Sequence, residues 1–348
     1  MRNQLHAAAR WMAAAACAIA FGVAAAQSPA VNSKEAAEAK QQAAQQQAQP
    51  LNNQPVWSEV RSGQPQYTSI PGRETNVLVQ PQGQTWRAAR VPAATVGGFL
   101  FAFAFVVLAA FYLWRGPIRV KGAPTGRLIE RFTIVERAVH WTVAITFTTL
   151  AVTGLVLTFG KTVLLPIIGY TLFSILATVS KYAHNFVGPV LAIALPVMIV
   201  MFMHSNLFTK RDIEWFKKGG GMLTGEHVPA GKVNGGQKIL FWLLVVLAGV
   251  TLIVSGLILD FPNFNQTRAT MQVANMVHMV VGVLACCLLL GHIYLGTIGM
   301  KGAWEAMTTG YVDETWAREH HEYWYNEVKS GRGAAVEGAP PAHAPRTA

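Results

Sequence analysis

Charged residues are scarce in this sequence. Of its 348 residues only 13% are Asp, Glu, Lys or Arg, whereas 52% are hydrophobic. Soluble domains carry about 25% charged residues, so this composition excludes an ordinary soluble protein and indicates a membrane protein. The formal net charge of +11 does not require a nucleic-acid partner. The basic residues cluster beside apolar segments, which is the positive-inside pattern of membrane proteins.

Cysteine is also scarce, with three residues in the chain. Cys17 lies in a short apolar run near the amino terminus, and Cys286 and Cys287 are adjacent within a longer apolar segment. Neighbours in a helix point about 100° apart, so this pair is poorly placed to form a disulfide or to share a metal. We expect both to pack as small apolar residues, and we expect no iron–sulfur or zinc site.

Five apolar segments are long enough to cross a bilayer. They comprise residues 93–114, 133–158, 182–208, 239–259 and 273–298. We interpret a further run, 162–179, as an interfacial helix on the periplasmic face, because a proline and a glycine interrupt it. The loop 209–238 carries many more basic residues than the loop 260–272 and is therefore expected to be cytoplasmic. That orientation requires that 162–179 does not cross.

The two ends of the chain differ from this apolar region. Residues 1–26 have the pattern of a signal peptide, with arginines ahead of a short apolar run that ends in small residues. The alternative is a retained anchor. Residues 27–92 are predicted to be a low-complexity periplasmic tail, and residues 329–348 a disordered cytoplasmic tail. Segment 93–114 carries no Asp, Glu, Lys, Arg or His and is predicted to be an extra amino-terminal transmembrane helix.

The last apolar segment, 273–298, contains no Asp, Glu, Lys or Arg but carries His278 and His292. Fourteen helical steps come to about 1400°, about 40° short of four turns, so the two rings leave nearly the same face about 21 Å apart. Histidine within a membrane segment is a functional-site hypothesis. The alternative is a helix with two interhelical hydrogen-bonding histidines.

Partners for these two histidines are found at matching depths. His184 begins the third segment on the periplasmic side, and His140 lies in the second segment at the level of His292. His204 competes for the cytoplasmic level, but twenty residues place it about 200° from His184, so only one of the two can face the bundle seam. The depths therefore predict two pairs, His184 with His278 and His140 with His292.

Two histidines on one iron leave no axial position for a substrate, which is typical of an electron-transfer haem b in a helix bundle. No C-x-x-C-H motif occurs, so the haem would not be covalently attached. The predicted fold is an all-α membrane protein, a transmembrane four-helix haem b bundle with one extra amino-terminal transmembrane helix. The histidines outside the membrane segments, including His320 and His321, are expected to be solvated.

Several motifs in order give the chain a resemblance to a known family. They are Arg137-Ala-Val-His140-Trp141, His184 with Phe186 and Gly188, the segment 231–238 (GKVNGGQK), His278 and His292, and the segment 316–325 (WAREHHEYWY). Over residues 127–328 the sequence resembles the gamma subunit of formate dehydrogenase, the cytochrome b-556 membrane subunit. The extra residues 1–126 depart from the shorter four-helix members.

The resemblance implies a dihaem cytochrome b domain at 127–328, in a bacterial inner-membrane complex of anaerobic respiration. It implies a molybdenum or tungsten alpha subunit that oxidises formate and an iron–sulfur beta subunit that supplies electrons. These would cross to the cytoplasmic side and reduce quinone. It also implies a quinone site beside His292, formed by Asn234, Gly236 and Gln237. The alternative for these three residues is a glycine-rich entry to a helix.

Two other interpretations remain open. A cytochrome b subunit of a nickel–iron hydrogenase or of a thiosulfate reductase would use a similar haem bundle. A transporter or a simple membrane anchor is a different class of protein. A transporter is expected to show buried carboxylates or broken helices, and these segments hold no acid at mid-membrane depth.

Overall fold

The computed structural model describes residues 81–331 except 222, 223, 225 and 227, together with the isolated positions 37, 40–42, 44, 45 and 62. The predicted signal peptide and most of the two predicted tails lie outside the described residues. The chain divides into two compact units, which are described separately. Among the described residues, the first contains those up to 97 and those at 254–281, and the second contains those at 98–253 and those from 282 onward.

The described residues are predominantly helical. The α-helices are α1 (Pro81–Arg115), α2 (Ile134–Val163), α3 (Leu165–Met203), α4 (Lys210–Lys217), α5 (Gly235–Leu240), α6 (Gly249–Asp260), α7 (Arg268–Tyr294), α8 (Ala303–Thr308), α9 (Glu314–His320) and α10 (Glu322–Lys329). Short 3₁₀ turns occupy His204–Asn206 and Gly219–Gly221, and π-helical stretches occupy Phe241–Ala248 and Leu295–Gly299. Two short strands are β1 (Leu128–Glu130) and β2 (Tyr311–Asp313).

Five helical stretches are long and apolar enough to cross a membrane. They are Thr85–Arg115, Ile134–Val163, Leu165–Asn206, Gly235–Asp260 and Arg268–Gly299. Each contains one of the five predicted segments or nearly all of it. The predicted all-α membrane fold with an extra amino-terminal helix is therefore confirmed.

Helix α1 begins earlier than predicted. Residues 81–92 are predicted to belong to the low-complexity tail, yet they form the first turns of α1. Pro81 occupies the first helical position, where its missing N–H removes no helical hydrogen bond and its fixed φ angle suits the helix. Proline at this position therefore marks the start of a helix rather than a loop.

The prediction of a separate interfacial helix at 162–179 is wrong. After α2, Leu164 leads directly into α3, and the only non-helical backbone within α3 is at Gly169, with φ 75° and ψ 173°. Residues beyond Gly169 continue without interruption to Met203. A positive φ is accessible to glycine without steric cost, so the turn is made at Gly169 and not near residue 180. The number of candidate spans is unchanged.

A small non-membrane layer, which we call the cap, is formed by residues 116–133 and 300–331 of the second unit. Strands β1 and β2 pair antiparallel, with Ile129 opposite Val312. Glu314 accepts hydrogen bonds from Tyr325 and from Arg127, and Lys329 lies 3.2 Å away. The Tyr325 hydroxyl, then Arg127, lower the pKa of this carboxyl to about 2. Glu314 is therefore ionised at neutral pH and ties α10 to the segment before β1.

Candidate functional site

His140 lies on α2, whose first turns are fixed to the cap. Thr133 and Glu136 form a capping box at the start of the helix. One turn later, Arg137 Nη1 donates to the carbonyl of Thr308 at 2.6 Å, and Trp141 Nε1 donates to the carbonyl of Met307 at 2.9 Å. The residues on either side of His140 in the motif thus set the rotation of α2 about its axis.

The structure brings His140 and His292 together, as predicted. Their ring centroids are 6.1 Å apart, with the planes at 60°. Two imidazoles on opposite sides of one metal ion, each with a nitrogen about 2 Å from it, would have centroids about 6 Å apart. Nδ1 of His140 is buried and has no hydrogen-bond partner among the described residues. The spacing and the unpartnered nitrogen fit a shared haem iron.

His204, the competing candidate, lies elsewhere. It is exposed and occupies the 3₁₀ turn that follows α3. The ring that lies beside His292 is that of His140. The second unit therefore favours His140 over His204 as the partner of His292.

His184 lies on α3 and is held by α2. Thr153 Oγ1 is 2.9 Å from His184 Nδ1, and the same hydroxyl donates its proton to the carbonyl of Thr149 at 2.7 Å. Because a hydroxyl has a single proton, its oxygen must accept from the imidazole, so Nδ1 of His184 carries the hydrogen. A Cβ added at Gly154 would lie 3.3 Å from His184 Cε1, so the absence of a side chain there lets the ring approach α2.

His278 has matching surroundings within the first unit. Ser255 Oγ is 2.9 Å from His278 Nδ1, and a Cβ added at Gly256 would lie 3.2 Å from His278 Cε1. His184 and His278 belong to different units, so each is described with its own neighbours. Both therefore contact a hydroxyl-bearing residue followed by glycine.

These hydroxyl–glycine pairs were missed by the sequence reasoning. The signal was present as an internal repeat, since residues 152–157 read VTGLVL and residues 254–259 read VSGLIL. Neither pair contains a charged or metal-binding side chain, so neither is recognised as a candidate site from residue type alone. A polar residue followed by glycine at the same place in two apolar helices is the feature that would have revealed them.

Asn234 and Gln237 begin α5 and form a capping box. Asn234 Oδ1 accepts from the backbone N–H of Gln237 at 2.9 Å, and Gln237 Oε1 accepts from that of Asn234 at 3.0 Å. The glycine-rich helix entry considered as an alternative is therefore what these residues form. Since both amide oxygens are engaged by the backbone, each NH₂ group is the end left to donate to a further partner.

Glycines at the start of α5 admit an aromatic ring. A Cβ added at Gly235 would lie 2.7 Å from Trp215 Cε3, and one added at Gly236 would lie 2.8 Å from Trp215 Cη2. The Trp215 side chain of α4 therefore packs over the amino end of α5. Gly236, predicted to belong to the quinone site, has a packing role in this contact.

A buried ion pair lies beside this entry. Lys238 Nζ donates to both carboxylate oxygens of Asp212, at 3.0 and 2.7 Å, and both side chains are at most 8% exposed. The pair borders a cavity of about 200 Å³. The cavity is also lined by Thr209, Arg211, Trp215, Pro229, Ala230, Gly231 and Glu327. Sequence reasoning counted Lys238 only as a basic loop residue.

The prediction that His321 is solvated is wrong. It is 1% exposed. Its Nδ1 donates to the carbonyl of Gly231 at 2.6 Å, and Arg131 Nη2 donates to its Nε2 at 2.8 Å. Burial, together with the charge of Arg131, lowers the pKa of His321 well below its usual range, so the ring is neutral. Burial lowers the pKa of Arg131 to about 9, so this guanidinium is still charged at neutral pH.

Comparison with known proteins places these features in a family. Residues 131–310 match the family model of prokaryotic cytochrome b561. The chain belongs to the prokaryotic cytochrome b561 family. Membership of a cytochrome b family implies that the chain binds haem b. The matched residues of this cytochrome b561 protein include all four candidate ligand histidines, Asn234 and Gln237.

Curated relatives of this cytochrome b561 protein are formate dehydrogenase subunits. The cytochrome b556(Fdn) subunit of nitrate-inducible formate dehydrogenase from Escherichia coli (strain K12) is 34% identical over 209 residues, covering 58% of this chain and 93% of the relative. The cytochrome b556(fdo) subunit of the same organism is 34% identical over 206 residues, with the same coverage. The cytochrome b556 subunit from Haemophilus influenzae is 32% identical over 206 residues, covering 57% and 83%.

Proposed function

We propose that this chain is the membrane dihaem cytochrome b subunit of a formate dehydrogenase complex. It passes electrons from an iron–sulfur subunit across the membrane to quinone. The observation that carries the proposal is the His140–His292 ring pair, 6.1 Å apart. It lies within the stretch shared with relatives that are formate dehydrogenase cytochrome b556 subunits. Those relatives favour formate dehydrogenase over hydrogenase or thiosulfate reductase.

Four histidines hold two haem groups in this proposal. His140 and His292 would hold one, and His184 and His278 would hold the other. The pairing of His184 with His278 is supported by their matching depth in the apolar segments. It is also supported by the hydroxyl contact that each of them makes, with Thr153 and with Ser255 respectively. Haem b, when bound, supplies one-electron redox chemistry. With two histidines holding each haem, the sites would transfer electrons and would leave no place for a substrate at the iron.

Quinone is bound beside His292 by donors at the start of α5. The capping box engages the amide oxygens of Asn234 and Gln237, so their NH₂ groups are available to donate to a quinone carbonyl. Gly236 lets Trp215 cover the helix entry, which gives such a pocket an aromatic wall. The loop before α5 is basic and is cytoplasmic under the positive-inside rule, so protons for quinone reduction come from that side.

The partners and location follow from the same proposal. The chain is a multi-pass protein of the bacterial inner membrane, with its amino-terminal tail in the periplasm and its carboxyl terminus in the cytoplasm. An iron–sulfur beta subunit and a molybdenum or tungsten alpha subunit complete the complex. A reporter fused after Lys218 is expected to be active only in the cytoplasm, and one inserted near Gln266 only in the periplasm. The reverse pattern would overturn this orientation.

The test is a reduced-minus-oxidised spectrum of membranes that contain the complex, with formate as the reductant. Formate should reduce haem b, and added quinone should reoxidise it. Pyridine haemochrome analysis of the purified complex should give two haems for each copy of this chain. Haem that dithionite reduces but formate does not would contradict the assignment to formate dehydrogenase, while leaving the cytochrome b assignment intact.

A further inference from the structure

The hydroxyl of Thr153 decides which nitrogen of His184 carries the proton. It donates its own hydrogen to the carbonyl of Thr149 at 2.7 Å and lies 2.9 Å from His184 Nδ1. The imidazole must therefore donate to the Thr153 oxygen through Nδ1–H. A neutral imidazole has a single N–H, so the lone pair resides on Nε2, the nitrogen on the far side of the ring from the hydroxyl.

Glycine makes this contact possible. Gly154 follows Thr153 directly, and a Cβ there would lie 3.3 Å from His184 Cε1, closer than an ordinary van der Waals contact. An alanine would push the ring away from α2 by a few tenths of an ångström. The hydroxyl and the glycine therefore fix the tautomer and the position of one imidazole together.

The same pair occurs a second time in the chain. Ser255 Oγ lies 2.9 Å from His278 Nδ1, and Gly256 follows it with a Cβ position 3.2 Å from His278 Cε1. Both copies lie in the repeated hexapeptides at 152–157 and 254–259. His140 has no such contact, since its Nδ1 has no hydrogen-bond partner within residues 81–331. The arrangement thus distinguishes two of the four histidines.

We propose that Thr153-Gly154 and Ser255-Gly256 are positioning residues for His184 and His278. They hold each ring as the Nδ1–H tautomer, so that Nε2 is the ligand atom, and they tune the iron through the hydrogen bond. An N–H donated to an acceptor makes the opposite nitrogen a stronger ligand. A stronger ligand stabilises ferric over ferrous iron, so the hydroxyl contact lowers the reduction potential of that haem. This inference rests on the proposed ligation of haem by His184 and His278.

The test uses the intact complex with Thr153→Val and Ser255→Ala, which remove the acceptor. Thr153→Ser keeps the hydroxyl, and Thr149→Val removes a nearby hydroxyl that donates to Ile145 rather than to histidine. The readouts are haem content, a spectroscopic redox titration and the g values of the ferric low-spin haems. Each acceptor-removing variant should retain two haems, raise the midpoint potential of one and shift its g values. Thr153→Ser and Thr149→Val should match the wild type.

The outcomes separate this inference from the proposed function. Two bound haems with unchanged potentials and g values in both acceptor-removing variants would overturn the positioning role and leave the ligands intact. If Thr153→Val loses haem, full haem at wild-type potential in Thr153→Ser supports the hydroxyl role, whereas haem loss in that variant too overturns it. Retention of both haems by His184→Ala would instead overturn the ligand assignment. Shifts on two different haems would support positioning and overturn the pairing of His184 with His278.

Discussion

His184 and His278 each hydrogen-bond a hydroxyl through Nδ1, whereas Nδ1 of His140 has no partner in the part of the chain that the structure describes. His140 is placed instead by the residues around it in the motif, which reach the carbonyls of Met307 and Thr308 in the cap. Two candidate ligands are thus oriented by a neighbouring helix within the apolar region. The His140–His292 pair, in contrast, is expected to depend on the folding of the cap, because the residues beside His140 donate to cap carbonyls.

The largest expected effect is the loss of one haem when either histidine pair loses a ligand. His292→Ala should remove the haem that His140 and His292 are proposed to hold, and His278→Ala the haem proposed for His184 and His278. Each variant should lose about half of the pyridine haemochrome signal, because each removes one of the two histidines that are proposed to hold that haem. His204→Ala is the matched control and should keep both haems. Full haem content in His278→Ala and His292→Ala would end the two-haem proposal.

The second prediction concerns the dependence of the His140–His292 pair on the cap. Arg137→Met leaves the Thr308 carbonyl without its charged donor. The loss should destabilise the contact between α2 and the cap by about 1–3 kcal/mol. On heating in detergent, the haem bound by His140 should be released before the other one. The exposed Arg119, changed to Met, serves as the control. Simultaneous release of both haems in Arg137→Met would contradict the prediction that the His140–His292 pair depends on the cap more than His184 and His278 do.

Long apolar segments could be predicted from the sequence because their signal is carried by composition alone. All five candidate spans were predicted in this way. His140 and His292, which the structure brings together, were paired from their depths within those segments. The course of α3 could not be predicted, because the proline and the glycine near its start show that the run is interrupted but not that the helix continues unbroken beyond Gly169. The Asn234–Gln237 capping box was readable as a polar residue followed three positions later by glutamine. The sequence-based alternatives were a quinone site and a glycine-rich helix entry, and neither named the capping box.

Burial in the cap could not be predicted, because it depends on contacts between distant parts of the chain. His321 is buried by Arg131, 190 positions away, and by Gly231, 90 positions away. Nothing in the local sequence around His321 distinguishes it from a solvated histidine. The Asp212–Lys238 pair is hidden for the same reason, since its two charges look like ordinary loop residues when read separately. Sequence therefore predicted the apolar region better than the cap.

The third prediction concerns quinone at the His140–His292 end. Gln237→Leu removes the oxygen that caps α5 and the NH₂ group proposed to donate to quinone, whereas Gln237→Glu keeps an acceptor for the Asn234 N–H and removes only the donor. Loss of a hydrogen bond to a neutral carbonyl costs about 0.5–1.5 kcal/mol. At the upper end, this weakens quinone reduction about tenfold. Both variants should show that decrease, with formate-dependent reduction of an artificial dye unchanged.

A second test of the quinone prediction changes the residue at the other end of the capping box, whose NH₂ group is also proposed to donate to quinone. Asn234→Asp keeps the oxygen that accepts from the Gln237 N–H and removes the NH₂ donor of Asn234. If Gln237→Leu is impaired while Gln237→Glu and Asn234→Asp reduce quinone at the wild-type rate, these amides serve the helix cap alone. The quinone pocket would then lie elsewhere, and the haem content of all three variants would still be two.

The smallest expected effect is a pH dependence confined to the cap. Because the pKa of His321 is well below its usual range in the folded protein, the ring stays neutral as pH falls, while in the unfolded chain it takes up a proton near pH 6.5. Its contribution to stability is therefore complete above about pH 6.5 and decreases below that value by up to about 1.4 kcal/mol per pH unit. The loss continues until the pH reaches the folded pKa.

Glu314 does not change stability in this pH range. Its pKa is about 2 in the folded protein and 4.5 in the unfolded chain, so its own effect on stability occurs at lower pH. His321→Gln provides the comparison, since an amide can donate to the Gly231 carbonyl and accept from Arg131 without titrating. The melting temperature of the purified protein is measured by calorimetry between pH 7.5 and about pH 5.5. As the pH is lowered, it should fall more steeply for the wild type than for His321→Gln. Parallel curves would mean that His321 is protonated in the folded cap and that the Arg131 contact is not made to a neutral ring.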